Sequence, residues 1–194
     1  MKANPLSQRG RALEEMYFRK REEENLRRRR RANRRQKLGS KMQIDNTDLL
    51  DSLIELGVTP ENVAAFDFVP LLETIWVDGQ INDEDRNTIF DFAKSFGMEP
   101  GGPAFKQLNS WMSRRPNRAL FEVWCTLTEM GSMGRELGQR SRRRWSATHA
   151  LAVARSRKDR GAGSKQLRHT AQRIEAALRG YAVATANPET EAVA

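Results

Sequence analysis

Apolar residues in the middle of the chain recur at the spacing of an α-helix. Residues 105–112 and 117–130 each place their large apolar side chains on one helical face, and residues 82–96 do the same before Gly97. A further stripe ends at Gly57 and consists of Leu49, Leu50, Leu53, Ile54 and Leu56. No segment alternates between apolar and polar residues over the length of a strand. The pattern therefore predicts an all-α protein with a compact helical bundle.

Prolines divide the segment that follows this stripe. Pro60 is acceptable in the first turn of a helix, which predicts a short helix ending at Phe66. Pro70 indicates a break, because proline lacks the N–H that a helix interior needs. A second helix is therefore predicted from a cap at Asp67 to Val77.

The N-terminal residues predict a long helix of a different kind. Residues 6–37 are rich in Arg, Glu, Leu and Ala, contain no proline and carry few apolar side chains. The pair Gly39-Ser40 predicts the end of this helix, and Asn46 or Thr47 can cap the next one. This segment is expected to be a solvated, basic helical arm.

The C-terminal third carries fewer large apolar residues than the middle. Two helices are predicted there, over residues 135–155 and 165–180, followed by a disordered tail. The predicted organisation is listed from the N-terminus: a basic helical arm over 1–44, a helical domain over 45–131, a basic helical extension over 132–181 and a tail over 182–194.

Charge is distributed in three blocks beneath a net charge of +9. Residues 1–44 carry 15 basic and 5 acidic side chains, residues 45–113 carry 3 and 13, and residues 114–194 carry 16 and 7. The acidic and basic blocks can attract one another within the molecule, or the acidic block can attract the basic arm of a second copy. Alternatively, the basic arms stay free for an anionic partner. A homo-oligomer held by opposite charge blocks is therefore one of the open alternatives.

An Asp-Gly turn joins two predicted helices. Gly79 can adopt the positive φ that ends a helix, Asn82 can cap the next helix, and acidic residues then favour the positive end of its dipole. A calcium site is the alternative, because the turn overlays four positions of an EF-hand loop, although Thr74 and Trp76 replace its first two carboxylates. The candidate ligands of a weak divalent metal are Asp78, Asp83, Glu84 and Asp85; no other cofactor is expected.

The stretch from Thr74 to Arg86, with its Asp-Gly turn and acidic helix start, resembles the signature turn of the TerB family. This family includes tellurite-resistance proteins, and a membrane co-chaperone shares the domain at its N-terminus. The resemblance covers about residues 46–130. It implies a TerB-like helical fold, a metal-binding acidic cluster and an association with stress and membrane systems.

A second, shorter resemblance covers the predicted arm. Residues 14–26 are similar to the core of the mitochondrial ATP synthase inhibitor protein, which docks as a helix into a rotary motor, and this similarity implies an inhibitor-like docking helix. A charged helix that binds an unknown protein partner is the broader interpretation. Its predicted anchors are Tyr17, Phe18 and Leu26.

Arginine clusters provide the main competing hypothesis, an accessory nucleic-acid-binding protein. Arginines neutralise phosphates and release counterions, but these clusters accompany no base-reading fold. They also bind acidic proteins and anionic lipid head groups. The predicted polyanion-binding residues are Arg27, Arg28, Arg29, Arg30, Arg31, Arg34, Arg35, Arg142, Arg143 and Arg144.

Residues suited to catalysis are sparse. The sequence lacks a phosphate-binding glycine loop, a nucleophile elbow and a metal-spaced set of His or Cys. Cys125 lies among apolar neighbours at helical spacing, which predicts a buried thiol, and a lone cysteine fits a reducing compartment. No apolar run reaches the length that spans a bilayer. We therefore expect a noncatalytic, cytoplasmic interaction module.

Overall fold

A computed structural model describes the backbone of residues 5–131, 137–159 and 165–186, and the side chains of residues 14–77, 79–131, 144–155 and 165–183. These residues form α-helices and two short 3-10 helices, Val63–Phe68 and Trp76–Asp78, and contain no strand, which confirms the all-α prediction. The α-helices are α1 (Pro5–Met42), α2 (Thr47–Glu55), α3 (Val69–Ile75), α4 (Asp83–Ser95), α5 (Pro103–Ser113), α6 (Arg118–Glu129), α7 (Leu137–Asp159) and α8 (Lys165–Ala186).

Helix α3 is the centre of the bundle. All seven of its residues are buried, and α6, α7 and α8 pack around it. Burial extends to Glu73, whose carboxylate accepts a 2.7 Å hydrogen bond from Arg115 Nη2. A buried carboxylate needs such a partner, because an isolated charge in an apolar interior is costly. The Thr74 hydroxyl is also satisfied, since it donates to the Pro70 carbonyl at 2.8 Å.

The basic C-terminal helices share this core. Helix α7 packs against α3, and α8 packs against α6. Their contact surfaces contain fully buried alanines, Ala147 and Ala150 on α7 and Ala177 on α8, together with Ile174. The segment predicted as a basic extension therefore contributes two helices to the bundle.

Several predicted helix starts, and the predicted stop at Gly79, agree with the local geometry. Asn82 Oδ1 accepts the Asp85 N–H at 2.7 Å, and Asn46 and Asn117 cap α2 and α6 in the same way. Gly79 has φ 81°, the left-handed conformation that the Asp-Gly turn requires. The acidic first turn of α4 consequently lies at the positive end of that helix.

The predicted break at Gly39-Ser40 is wrong, because α1 continues to Met42. The helix ends when Gln43 adopts φ 55°, and the Ile44 N–H then bonds the Gly39 carbonyl at 3.1 Å. That bond is the long-range closure of a Schellman motif. A Cβ on Gly39 would lie only 2.8 Å from the Ile44 carbonyl oxygen. Glycine at this position therefore allows the backbone of Ile44 to come close to the helix.

The predicted boundaries between residues 60 and 78 also require correction. Pro60 lies in a turn, and a 3-10 helix replaces the predicted short α-helix. Helix α3 follows directly with Phe68 at its cap position, so Asp67 is not the cap. Pro70 occupies the first turn of α3, where its missing N–H breaks no helical bond.

The last helix is longer than predicted. Helix α8 continues to Ala186, so residues 182–186 of the predicted tail are helical. Residues 187–194 lie outside the described part of the chain.

None of the described helices combines the length and the apolar content that crossing a lipid bilayer requires.

Candidate functional site

Helix α1 forms an arm that is attached to the bundle at its C-terminal end. Leu38 and Met42 are buried in the core, and Ile44 follows them. In contrast, the described side chains of residues 14–34 are all exposed. At 1.5 Å per residue, this exposed part is about 30 Å long.

Two arginines of the arm bind the acidic face of α2. Arg35 donates through Nε and Nη2 to the two carboxylate oxygens of Asp51, at 2.9 and 2.5 Å, and Arg31 Nη2 donates to Glu55 at 3.0 Å. The Arg35 hydrogen bond is the main reason why the pKa of Asp51 lies below its ordinary value. Bidentate pairing fixes orientation as well as distance. These contacts set the direction in which the arm leaves the body.

The three predicted partner-binding residues are exposed on this arm. Tyr17, Phe18 and Leu26 retain 62, 63 and 46% of their accessible surface. The Tyr17 and Phe18 rings form an edge-to-face pair with centroids 6.0 Å apart. In a continuous helix, Leu26 lies about 180° around the axis from Tyr17 and about 80° from Phe18. The structure therefore brings the aromatic pair together and places Leu26 opposite Tyr17, about a quarter turn from Phe18.

The predicted polyanion-binding arginines fall into two groups. Arg31 and Arg35 are engaged by α2, and Arg28 pairs with Glu24 at 2.6 Å. Within the described side chains, the remaining arginines of the arm are exposed and form no ion pair; they are Arg27, Arg29, Arg30 and Arg34. Arg144 is exposed on α7, whereas the side chains of Arg142 and Arg143 lie outside the described residues.

The described carboxylates of the acidic turn lie side by side at a helix start. Asp83 and Glu84 are exposed, Asp85 is half-buried, and all three occupy the first turn of α4. Over the side chains that the structure describes, no three His, Cys, Asp or Glu groups lie close enough to hold a metal ion. The Asp78 side chain lies outside those residues. Metal binding at this turn stays a prediction.

Cys125 is buried, as predicted. Burial raises the pKa of its thiol to about 12, so the reactive thiolate is scarce at neutral pH. The charged residues that act on this thiol are Arg173, Glu122 and Glu129. None of the three is a histidine that could take up the proton of the thiol. His149 instead stacks on Trp145, with ring centroids 3.7 Å apart. This environment suits a structural cysteine.

Two features of the arm were missed at the level of sequence. Met16 is 62% exposed and extends the apolar patch formed by Tyr17 and Phe18. Asp51 and Glu55 form ion pairs with the arm, and their i, i+4 spacing on α2 is the feature of the sequence that could have indicated this acidic face.

A cavity of about 290 Å³ lies between α7 and α8 and is bordered by Leu151, Leu167 and Ala171 among others. This cavity had no signature in the sequence.

No protein-family model, no curated protein and no solved structure matches this chain.

Proposed function

We propose that this chain is a noncatalytic, TerB-like helical interaction module that acts in the cytoplasm and docks a protein partner through its arm. The helical bundle provides a rigid base, and α1 presents Tyr17, Phe18 and Leu26 to the partner. The TerB resemblance over residues 46–130 supports the family assignment and suits a stress-related role.

The exposed aromatic pair is the observation that supports this proposal. Tyr17 and Phe18 lie beside Met16 on an arm that is otherwise strongly charged, and all three keep more than half of their surface accessible. Exposed aromatic side chains are unfavourable in water unless a partner covers them, and Tyr is enriched among residues that dominate binding energy. The surrounding arginines add long-range attraction for an acidic surface.

Partner capture from cytosol, measured against point variants of the full-length chain, tests this proposal. Tyr17→Ala with Phe18→Ala should reduce capture of the specific partner at least about tenfold, because buried aromatic anchors carry most of the binding energy. Leu26→Ala should weaken capture separately, because Leu26 lies on another side of the helix. Nuclease treatment of the cytosol should leave capture unchanged.

Met130→Ala is the matched control, since Met130 is 51% exposed but lies at the end of α6. Capture that survives the aromatic substitutions would contradict docking through the arm, and so would capture that Met130→Ala reduces as strongly as the aromatic substitutions do.

Accessory nucleic-acid binding is the second candidate, favoured by the unpaired arginines of the arm. Replacing Arg27, Arg29, Arg30 and Arg34 by Gln should then remove binding, while the aromatic substitutions leave it intact. If about 6–10 phosphates are contacted, affinity should fall roughly 10³–10⁵-fold between 50 and 200 mM salt. Retention of RNA or DNA with this pattern would make the second candidate the better one.

A further inference from the structure

One side of the arm, which we name the Leu26 face, carries opposite charges on either side of a leucine. Glu22 and Glu23 precede Leu26 by one turn, and Arg29 and Arg30 follow it by one turn. With 3.6 residues per turn, all four lie within about 60° of Leu26 around the helix axis. Each of these side chains is exposed.

The Leu26 face is turned away from the body. Arg31, Arg35 and Leu38 make the contacts to α2 and the core, and they lie between about 120° and 180° from Leu26 around the helix. Among the described side chains, Glu22, Glu23, Arg29 and Arg30 form no ion pair within their own chain. Their charges are therefore available to another molecule.

We propose that the Leu26 face binds the same face of a second copy, with the two arms antiparallel and a two-fold axis beside Leu26. In an antiparallel helix pair, each flank of one helix meets the equivalent flank of the other. Glu22 then meets Arg29 of the second copy, and Glu23 meets its Arg30. The two Leu26 side chains meet at the centre, where Leu26 is 46% exposed in the single chain. A parallel pair would instead place like charges together.

The complementarity extends beyond the central turns. Glu15 and Lys37 lie within about 20° of Leu26 and eleven residues from it on either side, so they meet in the antiparallel pair. Arg19 meets the uncharged Asn33, and a like charge, Arg34 of the second copy, lies about 60° further around the helix. Because the interface is isologous, each of the three ion pairs occurs twice.

A dimer of this kind is weak and salt-sensitive. Exposed ion pairs each contribute little and are screened at high ionic strength, and one leucine pair buries a small apolar area. The charged residues mainly determine that the two arms are antiparallel, as charged residues at the edges of coiled coils determine helix orientation. The pairing covers Leu26, which is one of the three partner anchors proposed above, whereas Tyr17 lies on the opposite side of the arm and remains accessible in the pair.

Two complementary charge variants of the full-length chain test the pairing by sedimentation equilibrium at low ionic strength. Glu22→Lys with Glu23→Lys makes one variant, and Arg29→Glu with Arg30→Glu makes the other. Each alone should dimerise at least about tenfold more weakly than the wild type, because like charges then face each other. Mixed together they should form a heterodimer, in which every pair is again opposite. A wild-type chain that stays monomeric at millimolar concentration, or a mixture that remains monomeric, would overturn the proposal.

Cysteine cross-linking traps a transient pair and distinguishes its orientation. Chains carrying Glu15→Cys and Lys37→Cys, mixed under mild oxidation, should give mainly the mixed disulfide. Cys125 is buried and does not compete. Tyr17→Cys is the control on the opposite side and should cross-link far more slowly. Predominant Glu15→Cys homodimers would indicate parallel arms, and equal cross-linking at residue 17 would indicate random collision; either result would refute the antiparallel pair.

Discussion

Trp76 joins two parts of the bundle through both its ring and its indole N–H. The ring is 91% buried, and Nε1 donates to the Trp111 carbonyl at 2.9 Å. Trp76→Ala should lower the free energy of unfolding by about 3–5 kcal/mol, because it creates a large cavity. Trp76→Phe keeps most of the apolar bulk and should cost less, about 1–2 kcal/mol, mainly for the lost hydrogen bond. Urea denaturation of both variants measures the difference, and an unchanged midpoint for Trp76→Ala would contradict this packing.

Asp51 makes the attachment of the arm depend on pH. Its pKa is lowered from 3.8 in the folded protein, chiefly by the Arg35 hydrogen bond, so the ionised carboxylate stabilises the fold above that value. This contribution should be complete at neutral pH and should disappear as the pH falls below about 4, through the lowered folded pKa. Asp51→Asn should therefore be less stable than the wild type at pH 7, and the difference should be smaller at pH 3.

Denaturation at both pH values measures this difference, and Asp45→Asn provides an exposed control near the start of the same helix. A gap between wild type and Asp51→Asn that was as large at pH 3 as at pH 7 would argue against the ion pair as its source.

Exposure of single side chains was readable from the sequence where a segment lacked apolar periodicity. Tyr17, Phe18 and the arginines between Arg19 and Arg34 are exposed, in a segment that carries no apolar stripe. The pairing of Arg35 with Asp51 was not predicted, because ion pairs between helices depend on where each helix ends and how the chain turns. Here that turn depends on Gln43 adopting a positive φ, which is uncommon for residues other than glycine.

At the scale of elements, the two ends of α1 differ in burial. Leu38 is fully buried, whereas Leu26 on the same helix is 46% exposed. Leu38→Ala should cost about 2–5 kcal/mol of stability, and Leu26→Ala should change stability by less than about 0.5 kcal/mol. Thermal or urea unfolding of the two variants checks this contrast. Equal losses would indicate that the arm packs along the body over its whole length.

Helix boundaries followed from local chemistry wherever a cap decides them. Asn46, Asn82 and Asn117 mark true starts, and Gly79 marks a true stop. The prediction at Gly39 was wrong, because a glycine can either end a helix or allow another part of the backbone to come close. Only the position of the Ile44 carbonyl oxygen distinguishes these two roles. The 3-10 helix before α3 was misread for a similar reason, since proline restricts φ without choosing between helix types.

At the scale of the whole molecule, the bundle depends on its C-terminal helices. Helix α3 packs extensively against α7, and Trp145 of α7 lies 3.7 Å from Phe92 between ring centroids. A fragment ending at Gly131 would expose these surfaces, so residues 45–131 should lack a cooperative unfolding transition. A fragment over residues 37–186 should retain one. Circular dichroism during urea titration measures both, and cooperative unfolding of the shorter fragment would show that the helical domain is complete without α7 and α8.

The sequence predicted both C-terminal helices but not their place in the core. Large apolar residues are the signal for burial, whereas α7 and α8 approach their neighbours through Ala147, Ala150 and Ala177. Small side chains permit close helix contact while contributing little to an apolar pattern. Beyond about residue 130, where large apolar residues become scarce, the sequence therefore carries little signal for burial.

The projecting arm has a practical consequence for hydrodynamic measurements. A compact chain of 194 residues has a radius of gyration of about 16 Å, whereas about 30 Å of exposed helix adds drag with little mass. A single 22.2 kDa chain should thus elute from a sizing column ahead of spherical standards of equal mass. Column calibration alone would mistake this monomer for a larger species, so light scattering or sedimentation is needed to count its subunits.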